Sequence, residues 1–223
     1  MTEIVFRSDM GVEYISHMGS DETVARSARV STGKDQLEQG KIEGLINFLV
    51  REGHTSTLEH CTLTVRVNVP ISTHRQIMTH RTLAKNSESG RYTELKPHFY
   101  VPDKNRPLVN QGTSARPELV HGDNTLSEYV RDRHKALAEN AWAEYQTALK
   151  LGVAKEVARD YLPVTTYTSA YLTANLLGWF NFLRLRNGQE GHPQDEIVNV
   201  ANQVEEIIAD LFPVTYQAWL KTR

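Results

Sequence analysis

Nine residues, Thr62 to Pro70, constrain this chain more than any others. Leu63, Val65, Val67 and Val69 alternate strictly with Thr62, Thr64, Arg66 and Asn68. Residues two apart in a strand share a face, so the segment predicts a strand that is apolar on one side and polar on the other. Pro70 ends it, because proline donates no ladder hydrogen bond, and proline is suited to open a helix. Such a strand needs neighbours to complete a sheet and a layer to cover its apolar face.

Helical spacing supplies that layer. Asp21 to Val30 predicts a helix capped by Ser20 or Asp21. Leu37, Ile42, Leu45, Ile46 and Leu49 predict a second, with Gly53 behind it. Pro70 to Arg81 predicts a short third, and Thr82 to Gly90 reads as a polar loop. Thr125 and Glu128 form a capping-box pattern ahead of a long helix to about Leu151. Val153–Tyr161, Asn175–Arg186 and Asp195–Leu211 complete the helices. Val12–Ile15, Tyr92–Val101 with an interruption at Pro97, and Val164–Thr173 are the other extended segments. Residues 103–123 read as an irregular surface connection. The order lacks a regular βαβ alternation, so the expected class is α+β, a twisted antiparallel sheet with packed helices. A length of 223 residues suits a single domain over 1–223.

Composition narrows the function. The 25 basic and 27 acidic residues leave a formal charge of −2, against a general nucleic-acid binder. The only cysteine, Cys61, excludes an intrachain disulfide and multi-cysteine zinc patterns. No apolar run reaches the ~18 residues of a membrane span, so no membrane partner is expected and a cytoplasmic location is the simplest reading. His54, His60, His74 and His80 pair at spacings of six, which does not align them on a helix, so no metal is expected.

The chemistry concentrates in Arg75-Gln76-Ile77-Met78-Thr79-His80-Arg81 and Asn86-Ser87-Glu88-Ser89-Gly90-Arg91-Tyr92. Three arginines fall within these 18 positions. The guanidinium fork matches phosphate oxygens, serine hydroxyls donate short hydrogen bonds, and Gly90 permits close backbone approach or positive φ. This composition suits a phosphate ester; a solvated basic turn would have it too.

His80-Arg81, seven residues, then Ser89-Gly90-Arg91-Tyr92 resembles the signature of flavin-dependent thymidylate synthases. Ala28-Arg29-Val30-Ser31 is similar to a segment of that family near the flavin, and Gly53-His54-Thr55-Ser56-Thr57-Leu58-Glu59-His60 to its Gly-His-Glu-Ser stretch. Downstream, Arg159-x-x-Leu162-Pro163, Asn175, Asn181, Phe182-Leu183, Arg186 and His192-x-Gln194-x-Glu196 follow at the family's separations. The resemblance implies conversion of deoxyuridine monophosphate (dUMP) to thymidine monophosphate. FAD would be the cofactor, with NADPH and methylenetetrahydrofolate as co-substrates and no enzyme nucleophile. It also implies a homotetramer with shared active sites.

Carried over residue by residue, the resemblance puts Ser31, Ser56, Thr79, His80, Arg81, Ser87, Asn175, Leu177 and Asn181 against the flavin. Gln76, Ser87, Glu88, Ser89, Gly90, Arg91, Arg159 and Arg186 would bind the nucleotide, Arg91 being the prime candidate for its phosphate. Arg186 would be catalytic, favouring ionisation of the uracil imide. The chain departs from the family at Thr79, where the first signature Arg usually stands, at Ser87 in place of an acidic residue, at Thr55 in place of Glu, and at Leu177 in place of Arg. A non-catalytic nucleotide- or RNA-binding protein remains the alternative. Trp179, Phe180 and Phe182 read as core more readily than as a flavin-stacking patch.

Overall fold

The computed structural model describes residues 3–33, 39–188 and 191–223. In chain order the elements are β1 (Val5–Arg7), β2 (Gly11–Met18), α1 (Asp21–Arg29), α2 (Ile42–Arg51), β3 (Thr62–Pro70), α3 (Ile71–Met78), β4 (Ala84–Ser87), β5 (His98–Tyr100), β6 (Val109–Asn110), β7 (Leu119–Val120), α4 (Asn124–Lys150), α5 (Lys155–Ala158), β8 (Tyr167–Asn175), α6 (Leu176–Arg186), α7 (Asp195–Leu211) and α8 (Pro213–Leu220). Short 3₁₀ turns lie at Val30–Thr32, Gln39–Lys41, Thr55–His60 and Arg159–Tyr161.

Strands β2, β3, β8 and β4 form a four-stranded sheet in that order. Thr64 and Thr173 share a hydroxyl hydrogen bond of 2.9 Å, and Asn68 Nδ2 donates to Ser169 Oγ at 3.0 Å. Four residues forward on β3 matches four back on β8, so the two strands run antiparallel. The apolar face of β3 is as the alternation predicts: Leu63, Val65, Val67 and Val69 are all fully buried.

Contacts divide the chain into two interleaved units. The first holds Met1–Met10, Asn68–Ile77 and Ser87–Ser169. Its core packs Phe99 against Trp142, Tyr145 and Ala158, with Ile4, Phe6 and Leu162 around them. Here β1 and β5 pair in parallel, and β6 pairs antiparallel with β7. The second holds Gly11–Val67, Met78–Asn86 and Ala170–Arg223. There α2 packs on α8, and α6 on α7. Trp179 and Phe182 are fully buried and Phe180 nearly so, which makes them core rather than a ring-stacking surface. Burying each such side chain contributes about 1.5–3 kcal/mol.

Several elements differ from expectation. Asp123 caps α4, its Oδ1 accepting from Leu126 N at 2.7 Å, so Thr125 and Glu128 are not the cap. The polar segment Thr82–Gly90 is not all loop, since Ala84–Ser87 forms β4 at one end of the strand order. Helix α3 ends at Met78 rather than Arg81. The connection 103–123 contains the β6–β7 pair. Leu37 lies outside the described residues. No described helix is long and apolar enough to cross a membrane.

Candidate functional site

The first unit contains a cleft with a volume of about 570 Å³, within the range of small-molecule sites. Three segments build it. Helix α3 contributes Ile71 and His74. Its first N–H groups are satisfied from outside, Ile71 N bonding Thr166 O and Ser72 N bonding Val164 O, both at 2.9 Å. That anchors the helix to the chain entering β8. The second segment contributes Ser87, Glu88, Gly90 and Leu95. Glu88 N donates to Ser169 O at 2.8 Å, and Leu95 N donates to the buried Tyr145 hydroxyl at 3.1 Å. The third contributes Arg159, Asp160 and Leu162.

Gly90 is buried, and its φ is not positive. A Cβ there would meet Arg159 Cδ and Leu95 Cδ1, each at 3.2 Å. The glycine therefore serves close approach of the Arg159 side chain, not a left-handed turn. Of the residues expected to hold a nucleotide, Ser87, Glu88, Gly90 and Arg159 line the cleft. Gln76 and Ser89 adjoin these segments in sequence without lining it. Arg91 is engaged elsewhere in the same unit: its Nε donates to Glu156 Oε2 at 2.8 Å.

Several cleft residues were missed from sequence, among them His74, Asp160, Tyr167 and Thr168. His74 Nε2 lies 2.9 Å from Ser87 Oγ. Its spacing of three from Ile71 could have placed both on one face of α3, but nothing local ties it to Ser87, 13 residues later.

The second unit gathers Thr79, His80, Lys85 and Arg186. Arg186 Nε donates to His80 Nε2 at 2.9 Å, and its Nη2 to Thr79 Oγ1 at 3.3 Å. Lys85 Nζ donates to the His80 carbonyl oxygen. The His80 ring meets Phe182 edge-on, with centroids 4.9 Å apart. Burial, then the Arg186 and Lys85 charges, push the His80 imidazole down from 6.5 to about 4, so it is neutral at physiological pH. Burial also lowers the pKa of Arg186.

Of the other residues expected near a flavin, Arg81, Ser31, Ser56 and Asn181 are exposed. Asn175 caps α6, its Oδ1 accepting from Gly178 N at 2.8 Å. Ser31 Oγ donates to Ala28 O at 2.8 Å. Leu177 is half-buried on α6 and offers no charge. A separate hollow of about 660 Å³ lies beside α1, lined by Thr23, Arg26, Ser27 and His60 among others. Cys61 is buried, and its thiol is pushed up to about 11, chiefly by that burial. It is not an available thiolate. Among the described residues no group of three or more His, Cys, Asp or Glu is arranged to hold a metal ion.

The α+β fold thus sets a guanidinium and hydroxyls in one cleft of the first unit, and within the second unit it holds a guanidinium on a neutral imidazole. Comparison with known proteins makes the class specific. Residues 13–214 match the family model described as thymidylate synthase complementing protein, and the chain belongs to that family. It is 39% identical over 228 residues to the flavin-dependent thymidylate synthase of Tropheryma whipplei strain TW08/27, covering 97% of this chain and 95% of that one. It is 40% identical over 229 residues to the enzyme of the same name from Streptomyces coelicolor, covering 97% and 93%. Among solved structures it resembles the UMP/dUMP methylase PolB from Streptomyces cacaoi at 39% identity. With 5-Br UMP bound, the TM-score is 0.90 over 98% of this chain and 96% of that one. With 5-Br dUMP bound it is 0.91 over 98% and 97%.

Proposed function

We propose that this protein is a flavin-dependent thymidylate synthase that methylates dUMP. The observation that carries the reading is the cleft of the first unit, where Ser87, Glu88, Gly90 and Arg159 converge. Family membership and the nucleotide-bound relatives support it.

The donor chemistry fits FAD. The exposed side chains expected to face it are hydroxyls, an amide and the Arg81 guanidinium, which suit a pyrophosphate and a heteroaromatic ring. When bound, FAD reduced by NADPH supplies a hydride, and methylenetetrahydrofolate supplies the carbon. The chain's own groups do the rest. Arg159, Ser87 and Gly90 hold the nucleotide, and Arg91 meets its phosphate once released from Glu156. Arg186 stabilises negative charge developing at the uracil imide, as donors in an oxyanion hole do. No side chain attacks carbon. Cys61 is buried as a thiol, and Ser89 Oγ accepts from Arg91 N at 3.3 Å. The working form is a homotetramer with shared active sites.

A second reading extends the acceptor to UMP, because the Streptomyces cacaoi relative was solved with 5-Br UMP. Ser87 and His74 satisfy one another, so a missing or added sugar hydroxyl strands no polar group between them. Replacing dUMP by UMP in the same assay tests this.

Arg186→Ala tests the main reading. The expected result is loss of thymidylate formation, with the flavin absorbance near 450 nm retained. Near-normal turnover in that variant contradicts the assignment.

A further inference from the structure

Thr79 stands where the family's first signature arginine usually stands, and the structure shows what its hydroxyl touches. Arg186 is held at two points: Nε on His80 Nε2 at 2.9 Å, and Nη2 on Thr79 Oγ1 at 3.3 Å. A guanidinium can only donate. His80 Nε2 is therefore the unprotonated ring nitrogen, and Thr79 Oγ1 is an acceptor. An arginine at position 79 has no lone pair to offer and would place a second cation beside Arg186.

We propose that Thr79 and neutral His80 form a paired acceptor that orients the Arg186 guanidinium, making Thr79 a positioning residue for the reaction rather than a flavin ligand. The inference rests on the reading of Arg186 given above. Two anchored nitrogens fix the plane of the fork. They leave the Nη1 hydrogens and one Nη2 hydrogen for the reacting ring. Phe182 limits rotation of the imidazole from its edge, and Lys85 tethers the His80 backbone. The low pKa of His80 agrees with this geometry, because protonation would convert the acceptor into a donor facing Arg186. Fixing a charge in advance removes reorganisation at the moment of reaction, so a loosened guanidinium costs turnover rather than affinity.

The test compares Thr79→Val, Thr79→Ser, Arg186→Ala and the double variant Thr79→Val/Arg186→Ala, each isolated with its flavin. Thr79→Val is expected to lower kcat about fivefold to tenfold while KM for dUMP and the 450 nm absorbance per chain stay the same. Thr79→Ser, which keeps the oxygen, is expected to retain most of kcat. The double variant is expected to be no slower than Arg186→Ala alone, because both changes remove one interaction. Thr79→Val with wild-type kcat overturns the positioning role and leaves the Arg186 reading standing. Loss of flavin in Thr79→Val overturns it in favour of a cofactor contact. A second readout does not depend on turnover. The His80 titration, measured by NMR and assigned by its disappearance in His80→Gln, is expected to move upward in Arg186→Ala as the neighbouring charge is removed. If Arg186→Ala keeps wild-type turnover, its catalytic reading fails and the acceptor pair is judged on this titration; an unmoved titration then overturns it.

Discussion

Arg91 and Arg159 carry the same charge into the same unit but stand in different surroundings. Arg159 lines the cleft, while Arg91 is paired with Glu156, with side-chain exposures of 54% and 51%. An exposed pair of this kind is worth ~0–1 kcal/mol, so a phosphate can displace it but must compete with the carboxylate. Glu156→Gln is therefore expected to lower KM for dUMP by about twofold to fivefold with kcat unchanged. Steady-state kinetics check this, and an unchanged KM contradicts Arg91 as the phosphate ligand. At this scale the sequence announces which side chains carry charge, and Arg75–Tyr92 shows itself by composition. It does not announce which acceptors those charges meet. Glu156 lies 65 residues from Arg91, and His80 lies 106 residues from Arg186. Such pairings follow from chain topology, which no local pattern encodes.

The secondary elements were legible where their periodicity was strong. The alternation of β3 and the spacing in α2, α4, α6 and α7 fall within the segments expected, with ends differing by a few residues. Five elements were not legible, the two-residue strands β6 and β7 of the 103–123 connection among them. Strand β1 is three residues long, and β4 reads Ala-Lys-Asn-Ser, whose polarity hides an outer strand. Helix α8 reads Pro-Val-Thr-Tyr-Gln-Ala-Trp-Leu, without a clear polar face to mark a period. Its N-terminus is satisfied from far away. Asp21 accepts from Val214 N at 3.0 Å, Thr215 N at 2.8 Å and Thr215 Oγ1 at 2.6 Å. The same residue that opens α1 thus caps α8 across 193 positions. Asp21→Ala leaves these donors without their acceptor and is expected to lower unfolding free energy by about 2 kcal/mol. Urea unfolding measures it, and a stability equal to wild type contradicts the capping role.

For the molecule as a whole, the two units divide the chemistry as well as the chain. The cleft proposed for the nucleotide belongs to the first, and the His80–Arg186 pair to the second. The signature passes from one into the other between Ile77 and Met78, and back between Asn86 and Ser87. The α+β class and the antiparallel sheet were readable from alternation and element order. The division into interleaved units was not, because it depends on which distant segments pack together. The family was readable because its residues recur along most of the chain, and the match over residues 13–214 has the same reach. The proposed conversion of dUMP to thymidylate needs both a reductant and a one-carbon donor. Its most direct test uses dUMP tritiated at carbon 5 of the ring. With NADPH and methylenetetrahydrofolate carrying a labelled methylene carbon both present, tritium is expected in solvent together with thymidine monophosphate bearing the labelled carbon, and omission of either co-substrate is expected to abolish that product. Nucleotide retained on a flavin-free protein, with no product when both are supplied, would contradict the account.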